Sequence, residues 1–100
     1  MTEMTCEQLE EKVKNADNFI LIDVREPAEF AGGNIDGAIL IPLGELENKI
    51  KDFNLPPEKE IIVYCQSGRR SGAAAEILEK LGYKNAKSLA GGIINWENTL

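Results

Sequence analysis

The stretch from Ile61 to Ala75 constrains this chain more than any other part of it. Ile61-Ile62-Val63-Tyr64 is a short apolar run rich in β-branched side chains, the pattern of a strand covered on both faces. From Ser71 the period changes. Ala73, Ala74, Ile77, Leu78 and Leu81 fall at i, i+1, i+4, i+5 and i+8, one stripe of a helix, and Gly82 follows as its C-terminal stop. Cys65 therefore sits where the strand ends, and the loop after it wraps back toward the start of a helix.

A sulfur in that position has a defined electrostatic setting. The first turn of a helix carries unpaired N–H groups and the positive end of the macrodipole. A loop that contains a glycine can turn successive N–H groups inward as an anion cradle. Arg69 and Arg70 add two positive charges beside it. All three effects favour thiolate over thiol, so the pKa of Cys65 is expected below the free value of roughly 8.5. A thiolate in an anion cradle is a nucleophile for a substrate that is itself an anion. The plainer alternative is a small buried hydrophobe at a strand end, next to a solvated Arg-Arg pair. The order strand, Cys, loop, Arg, helix argues for the nucleophile. Cys65 is accordingly the candidate catalytic residue, and Gln66, Ser67, Gly68, Arg69, Arg70 and Ser71 are the candidate substrate-binding residues.

Composition narrows the field. The chain has 100 residues, expected to form a single domain over 1–100 that buries roughly two-thirds of its unfolded surface. A net charge of −6 weighs against nucleic acid and anionic membranes as partners, and it makes the Arg69-Arg70 pair, two of only three arginines, more informative. No apolar run approaches the roughly 20 residues that span a bilayer. The acidic opening Met-Thr-Glu-Met-Thr-Cys-Glu lacks the apolar core of a secretory signal, so the cytoplasm is the expected compartment. Cys6 and Cys65 are the only cysteines and there is no histidine. That pattern suggests neither a disulfide framework nor a zinc site, and it removes Cys-His and Ser-His catalysis. No metal or other cofactor is expected.

Along the chain, Thr5 and Gln8 fit a capping box for a helix from Cys6 to about Lys14, with Cys6, Leu9 and Val13 as its buried stripe and Cys6 chemically inert. Glu3 and Met4 are expected to form a short edge strand before it. Phe19 to Ile22 and Ala38 to Ile41 read as buried strands, and Asn85 to Leu89 as a short last one. Asp23 and Arg25, at the C-terminal end of the second strand, are expected to pair and tie loops together. Glu26 to Phe30 opens a short helix ended by Gly32-Gly33; Leu43, Leu46, Ile50 and Phe53 form another helical stripe. Ile93 to Glu97 is a final helical turn with Trp96 packed inward. Strands alternating with helices predict an α/β fold, a mainly parallel five-stranded sheet with helices on both faces.

Tyr64-Cys65-Gln66-Ser67-Gly68-Arg69-Arg70-Ser71 resembles the active-site loop of single-domain rhodaneses, the thiosulfate sulfurtransferases. Three further stretches resemble that family in order: Ile22-Asp23-Val24-Arg25 with Glu29-Phe30, Gly33-Asn34-Ile35-Asp36-Gly37-Ala38 with Ile41-Pro42, and Leu89-Ala90-Gly91-Gly92-Ile93 with Trp96. Asn34 stands where the family usually has histidine, a question of loop rigidity rather than of reaction type. The resemblance implies a rhodanese-like fold and a Cys65 thiolate that takes sulfane sulfur from thiosulfate or another small donor. Arg69, Arg70 and the loop N–H groups would hold the donor, with the Arg70 side chain folded over the anion and Arg69 steering from solvent. A thiol or a sulfur-carrier protein would accept the sulfur. Two other functions compete. Cysteine phosphatases with this fold place arginine six positions after the cysteine, where this chain has Ser71; Arg70 lies five positions on, and the smaller loop suits sulfur. Non-catalytic rhodanese-like modules typically lack the cysteine, which is present here.

Overall fold

The computed structural model describes residues 2–99. Five strands, β1 (Thr2–Met4), β2 (Ile20–Asp23), β3 (Ile39–Leu40), β4 (Ile61–Tyr64) and β5 (Ala86–Leu89), form one sheet in the order β1-β5-β4-β2-β3. Every pairing is parallel. A parallel pair needs a crossover between its strands, and the helices supply it. They are α1 (Cys6–Lys14), α2 (Pro27–Ala31), α3 (Leu46–Lys49), α4 (Arg69–Lys80) and α5 (Gly92–Thr99), with single 3₁₀ turns on either side of α3.

The central strand β4 is wholly buried because its side chains alternate between two cores. Ile61 and Val63 face α3, the 3₁₀ turn after it and α4, where Leu46, Ile50, Ala74, Ala75 and Leu78 pack. Ile62 and Tyr64 face α1 and α5, with Leu9, Leu21, Leu89 and Ile93. Truncating a fully buried residue such as Leu78 to alanine costs about 2–5 kcal/mol in such a core. Trp96 packs against the second cluster, on the inward side of α5.

The capping box at Thr5 and Gln8 is formed, the Gln8 N–H reaching Thr5 Oγ1 at 3.1 Å and the Thr5 N–H reaching Gln8 Oε1 at 2.9 Å. Three expectations are corrected. Val13 is 50% exposed rather than part of the buried α1 stripe, at the rim of surface depressions also lined by Phe19, Leu21, Ile35 and Trp96. The third strand is an edge strand of two residues, not a buried strand of four, and with β2 as its single neighbour it leaves Ile39 39% exposed. The α4 stripe is Ser71, Ala74, Ala75 and Leu78, with Ala73 exposed, and the helix begins two residues early, at Arg69. Among the described residues no helix is long and apolar enough to cross a membrane.

Candidate active site

Register places the site. Asp23 pairs with Tyr64 across β2 and β4, so both strands end at one level. The Val24 N–H continues the ladder to the Tyr64 carbonyl at 3.0 Å, which sets the segment Asp23–Arg25 against the loop that begins at Cys65. Open parallel sheets form their crevices at this edge, where chains leave the strands in different directions.

The Cys65 side chain, 1% exposed, lies inside the loop that follows it. Gly68 makes the loop possible. Its φ of +110° lies where residues with a side chain are strained, and it turns the Gly68 N–H back onto Cys65 Sγ at 3.1 Å. Gly68 offers no side-chain cap to α4. Cys65 Sγ takes that role: the Ser71 N–H, in the first turn of α4, points at it from 3.4 Å, and Ser71 Oγ lies 3.6 Å away. Burial pushes the Cys65 pKa up, but the Ser71 hydroxyl and the N–H groups of Ser71, Gly68 and Ser67 outweigh it, and the net shift is downward. A helix N-terminus and an inward-turned loop thus hold a thiolate without a histidine.

Arg69 lies at the loop surface, as expected, whereas Arg70 has an ion-pair partner that the sequence did not indicate. Arg70 forms a fork with Glu29 of α2, its Nη1 and Nη2 donating to Oε1 and Oε2 at 2.8 and 2.9 Å. This fork raises the Arg70 pKa, with a weaker contribution from the Cys65 sulfur. Glu29 is held well below the usual carboxylate range, at about 2, first by Arg70 and then by the Glu26 N–H. Arg69 is exposed and makes no ion pair among the described residues. Arg25 is buried on Asp23, with Nε 3.1 Å from both carboxylate oxygens and Nη2 2.8 Å from Oδ2. The same guanidinium donates to the Gly33 carbonyl at 2.7 Å and to Gln66 Oε1 at 3.4 Å, and it lies 5.8 Å from the Tyr64 ring centroid. Asp23 and Arg25 therefore tie three loops together, as expected of them. Asn34 Nδ2 donates to the Phe30 carbonyl at 3.1 Å, closing the end of α2.

Two supporting residues were not singled out from the sequence. Ser88 of β5 is buried with its Oγ 2.7 Å from Ser71 Oγ, and Ser71 Oγ also lies 3.2 Å from the Gly68 carbonyl, so the Ser71 hydroxyl is held between Ser88, the loop backbone and the sulfur. Gly92 has φ +64°, and a Cβ there would come within 2.4 Å of the Gln66 carbonyl and 2.5 Å of the Cys65 carbonyl. This close approach lets the Ile93 N–H donate to the Cys65 carbonyl at 2.9 Å and the Ile94 N–H to the Gln66 carbonyl at 3.2 Å. With its carbonyls drawn toward α5, the loop is left with its N–H groups facing the sulfur. The Gly91-Gly92 pair was the one sequence signal of this contact; Ser88 left none. Among the described residues no group of acidic, histidine or cysteine side chains could hold a metal ion.

Comparison with known proteins places this geometry. The family model for the rhodanese-like domain matches residues 5–99. The chain belongs to the rhodanese-like family. Among curated relatives of this rhodanese-like chain, a sulfurtransferase of Allochromatium vinosum is 32% identical over 96 residues, covering 96% of this chain and 88% of that protein. A putative mitochondrial thiosulfate sulfurtransferase of Schizosaccharomyces pombe is 40% identical over 92 residues; the match takes in 81% of this chain but only 65% of the relative's length. Among solved structures, a human single-domain sulfurtransferase superposes with a TM-score of 0.89 at 28% identity, covering all of this chain and 98% of the other. These relatives support sulfurtransferase activity, in general terms, for this chain.

Proposed function

We propose that the chain acts as one catalytic domain that moves sulfane sulfur from thiosulfate, or another small sulfane-sulfur donor, to a thiophilic acceptor through a persulfide on Cys65. The observation that carries this reading is the capture of Cys65 Sγ by the Gly68 N–H at 3.1 Å, the Ser71 N–H at 3.4 Å and Ser71 Oγ at 3.6 Å. These groups favour the thiolate, and a thiolate attacks the outer sulfur of thiosulfate. A new S–S bond forms to Cys65, the S–SO₃ bond breaks, and sulfite leaves with its electron pair. Ser67, Gly68 and Ser71 would support the anion through their N–H groups, Arg69 by attraction from the loop surface, and Gln66 through its tether to Arg25. Cyanide, a small thiol or a sulfur-carrier protein then attacks the terminal sulfur and returns Cys65 as thiolate.

Mass spectrometry of the intact protein tests this directly. Thiosulfate should add one sulfur atom, and cyanide should remove it. Cys65→Ser should abolish the addition, whereas Cys6→Ser should not. Loading that persists in Cys65→Ser would overturn the mechanism.

A further inference from the structure

The sequence offers three arginines near this site, yet the fold leaves only one of them without a carboxylate. Arg25 is met by Asp23, Arg70 is met by Glu29, and Arg69 alone makes no ion pair among the described residues. Resting on the reading of Cys65 as the sulfur-accepting nucleophile, we propose that Glu29 determines donor specificity. It competes with anionic donors for Arg70, so that the site prefers a persulfide, neutral or singly charged, to dianionic thiosulfate.

The geometry of the fork carries the argument. Both terminal nitrogens of Arg70 are spent on the two oxygens of Glu29, the bidentate arrangement in which Arg binds a carboxylate most strongly. Glu29 is itself anchored, because its Oε1 also accepts the Glu26 N–H at 3.0 Å at the start of α2. The pair is not sealed in: the side chains of Arg70 and Glu29 are 36% and 33% exposed, within reach of an arriving ion. Ionised to about pH 2, Glu29 does not vacate Arg70 by protonation at neutral pH. A depression of about 320 Å³ opens beside the loop, lined by Arg25, Glu29, Gln66 and Glu97 among others. Glu97, which makes no ion pair among the described residues, adds a negative charge there beside the Glu29–Arg70 pair and the already paired Arg25, so the depression repels a dianion more than a persulfide. With a persulfide donor R–S–SH the Cys65 thiolate attacks the outer sulfur. The new S–S bond forms, the donor's S–S bond breaks, R–S⁻ leaves with the electron pair, and the proton stays on the transferred sulfur.

The test uses the full chain and two paired probes. Alkylation of Cys65, mapped by peptide mass, is timed with anionic iodoacetate and with neutral iodoacetamide. Sulfur loading is timed with thiosulfate and with cysteine persulfide. Glu29→Gln should raise the iodoacetate-to-iodoacetamide rate ratio about 5-fold, the size expected for one unit charge removed at a solvent-screened contact. It should lower the KM for thiosulfate by a similar factor and change persulfide loading less than about 2-fold. Glu29→Asp, which keeps the charge, should retain the wild-type ratio, and this separates charge from disturbance of α2. An unchanged or lower ratio in Glu29→Gln would overturn the proposal, since Glu29 would then be presenting Arg70 to the anion. Failure of the wild type to load sulfur from either donor would overturn the function proposed above as well. Loading with an unresponsive ratio would overturn this inference alone.

Discussion

The molecule holds two buried cysteines beside helix starts, and they differ in chemistry. Cys6 is the first residue of α1 and is 0% exposed; Cys65 lies just before α4 and is 1% exposed. Burial raises the pKa of both. At Cys6 burial prevails, helped by the neighbouring charge of Glu7, against weaker hydrogen bonds from Thr99 and Asn95. Its Sγ faces the Ala90 carbonyl at 3.8 Å, an acceptor that favours the thiol. At Cys65 the donors prevail. The difference is in who caps the helix. Thr5 Oγ1 takes the Gln8 N–H of α1, and among the described residues no first-turn N–H of α1 is aimed at Cys6 Sγ. Gly68 provides no side-chain cap, and the first turn of α4 turns its Ser71 N–H on Cys65 instead. Proximity to a helix dipole does not by itself activate a thiol; free donors aimed at the sulfur do.

The largest effect that tests this contrast is removal of each sulfur in turn. Cys65→Ser should lower sulfurtransferase kcat/KM by at least about 10³-fold, while Cys6→Ser should stay within about 2-fold, because only one thiol is a nucleophile. Comparable losses from both would end the comparison. Next in size is Arg70→Ala, which removes a guanidinium and leaves the Glu29 carboxylate without its partner. Thiosulfate kcat/KM should fall on the order of 100-fold, the scale for one lost electrostatic donor at an active site. Adding Glu29→Gln to Arg70→Ala should restore part of that loss. Arg69→Ala should cost less, with a deficit that shrinks as salt rises, since its exposed charge acts at a distance.

Smaller changes sharpen the role of the donors. Ser71→Ala should raise the inflection in the pH dependence of Cys65 alkylation and slow turnover at neutral pH about 10-fold. Ser88→Ala should act in the same direction but only about 2- to 3-fold, because it orients the Ser71 hydroxyl without touching the sulfur. Neither change should alter Cys6. The smallest effect is on stability. The lowered pKa of Cys65 means that the unfolded chain binds more protons between that value and the free-thiol value near 8.5. Cys65 therefore stabilises the fold fully above about pH 8.5, and this contribution is lost as pH falls through its folded pKa. Cys6, with a raised pKa, has the opposite sign: its contribution is present below the free-thiol value and is lost as pH rises through its folded pKa. Urea unfolding of Cys65→Ala and Cys6→Ala across this range should give pH slopes that depart from wild type in opposite directions.

Much of this was written locally. The change of period between Ile61–Tyr64 and the α4 helix, the glycine at 68 and the Thr5–Gln8 box each depend on residues a few positions apart, and all are formed. Local reading erred where burial depends on what lies opposite. Val13 keeps the helical spacing of Cys6 and Leu9 but is left half exposed at the rim of open depressions, and Ile39 is apolar in an edge strand. It was silent on the partner of Arg70, since Glu29 lies 41 residues away in the chain.

The sequence by itself determined that a cysteine would stand between a buried strand and a helix, with a glycine and two arginines in the intervening loop, because apolar period and glycine conformation are properties of neighbouring residues. Only the tertiary structure decided which arginine is paired, that Ser88 holds the Ser71 hydroxyl, and that Gly92 lets α5 draw off the loop carbonyls. Those pairings depend on the order β5-β4-β2 at the centre of the sheet, which brings together side chains that share no local pattern and becomes fixed when the two cores close on either face.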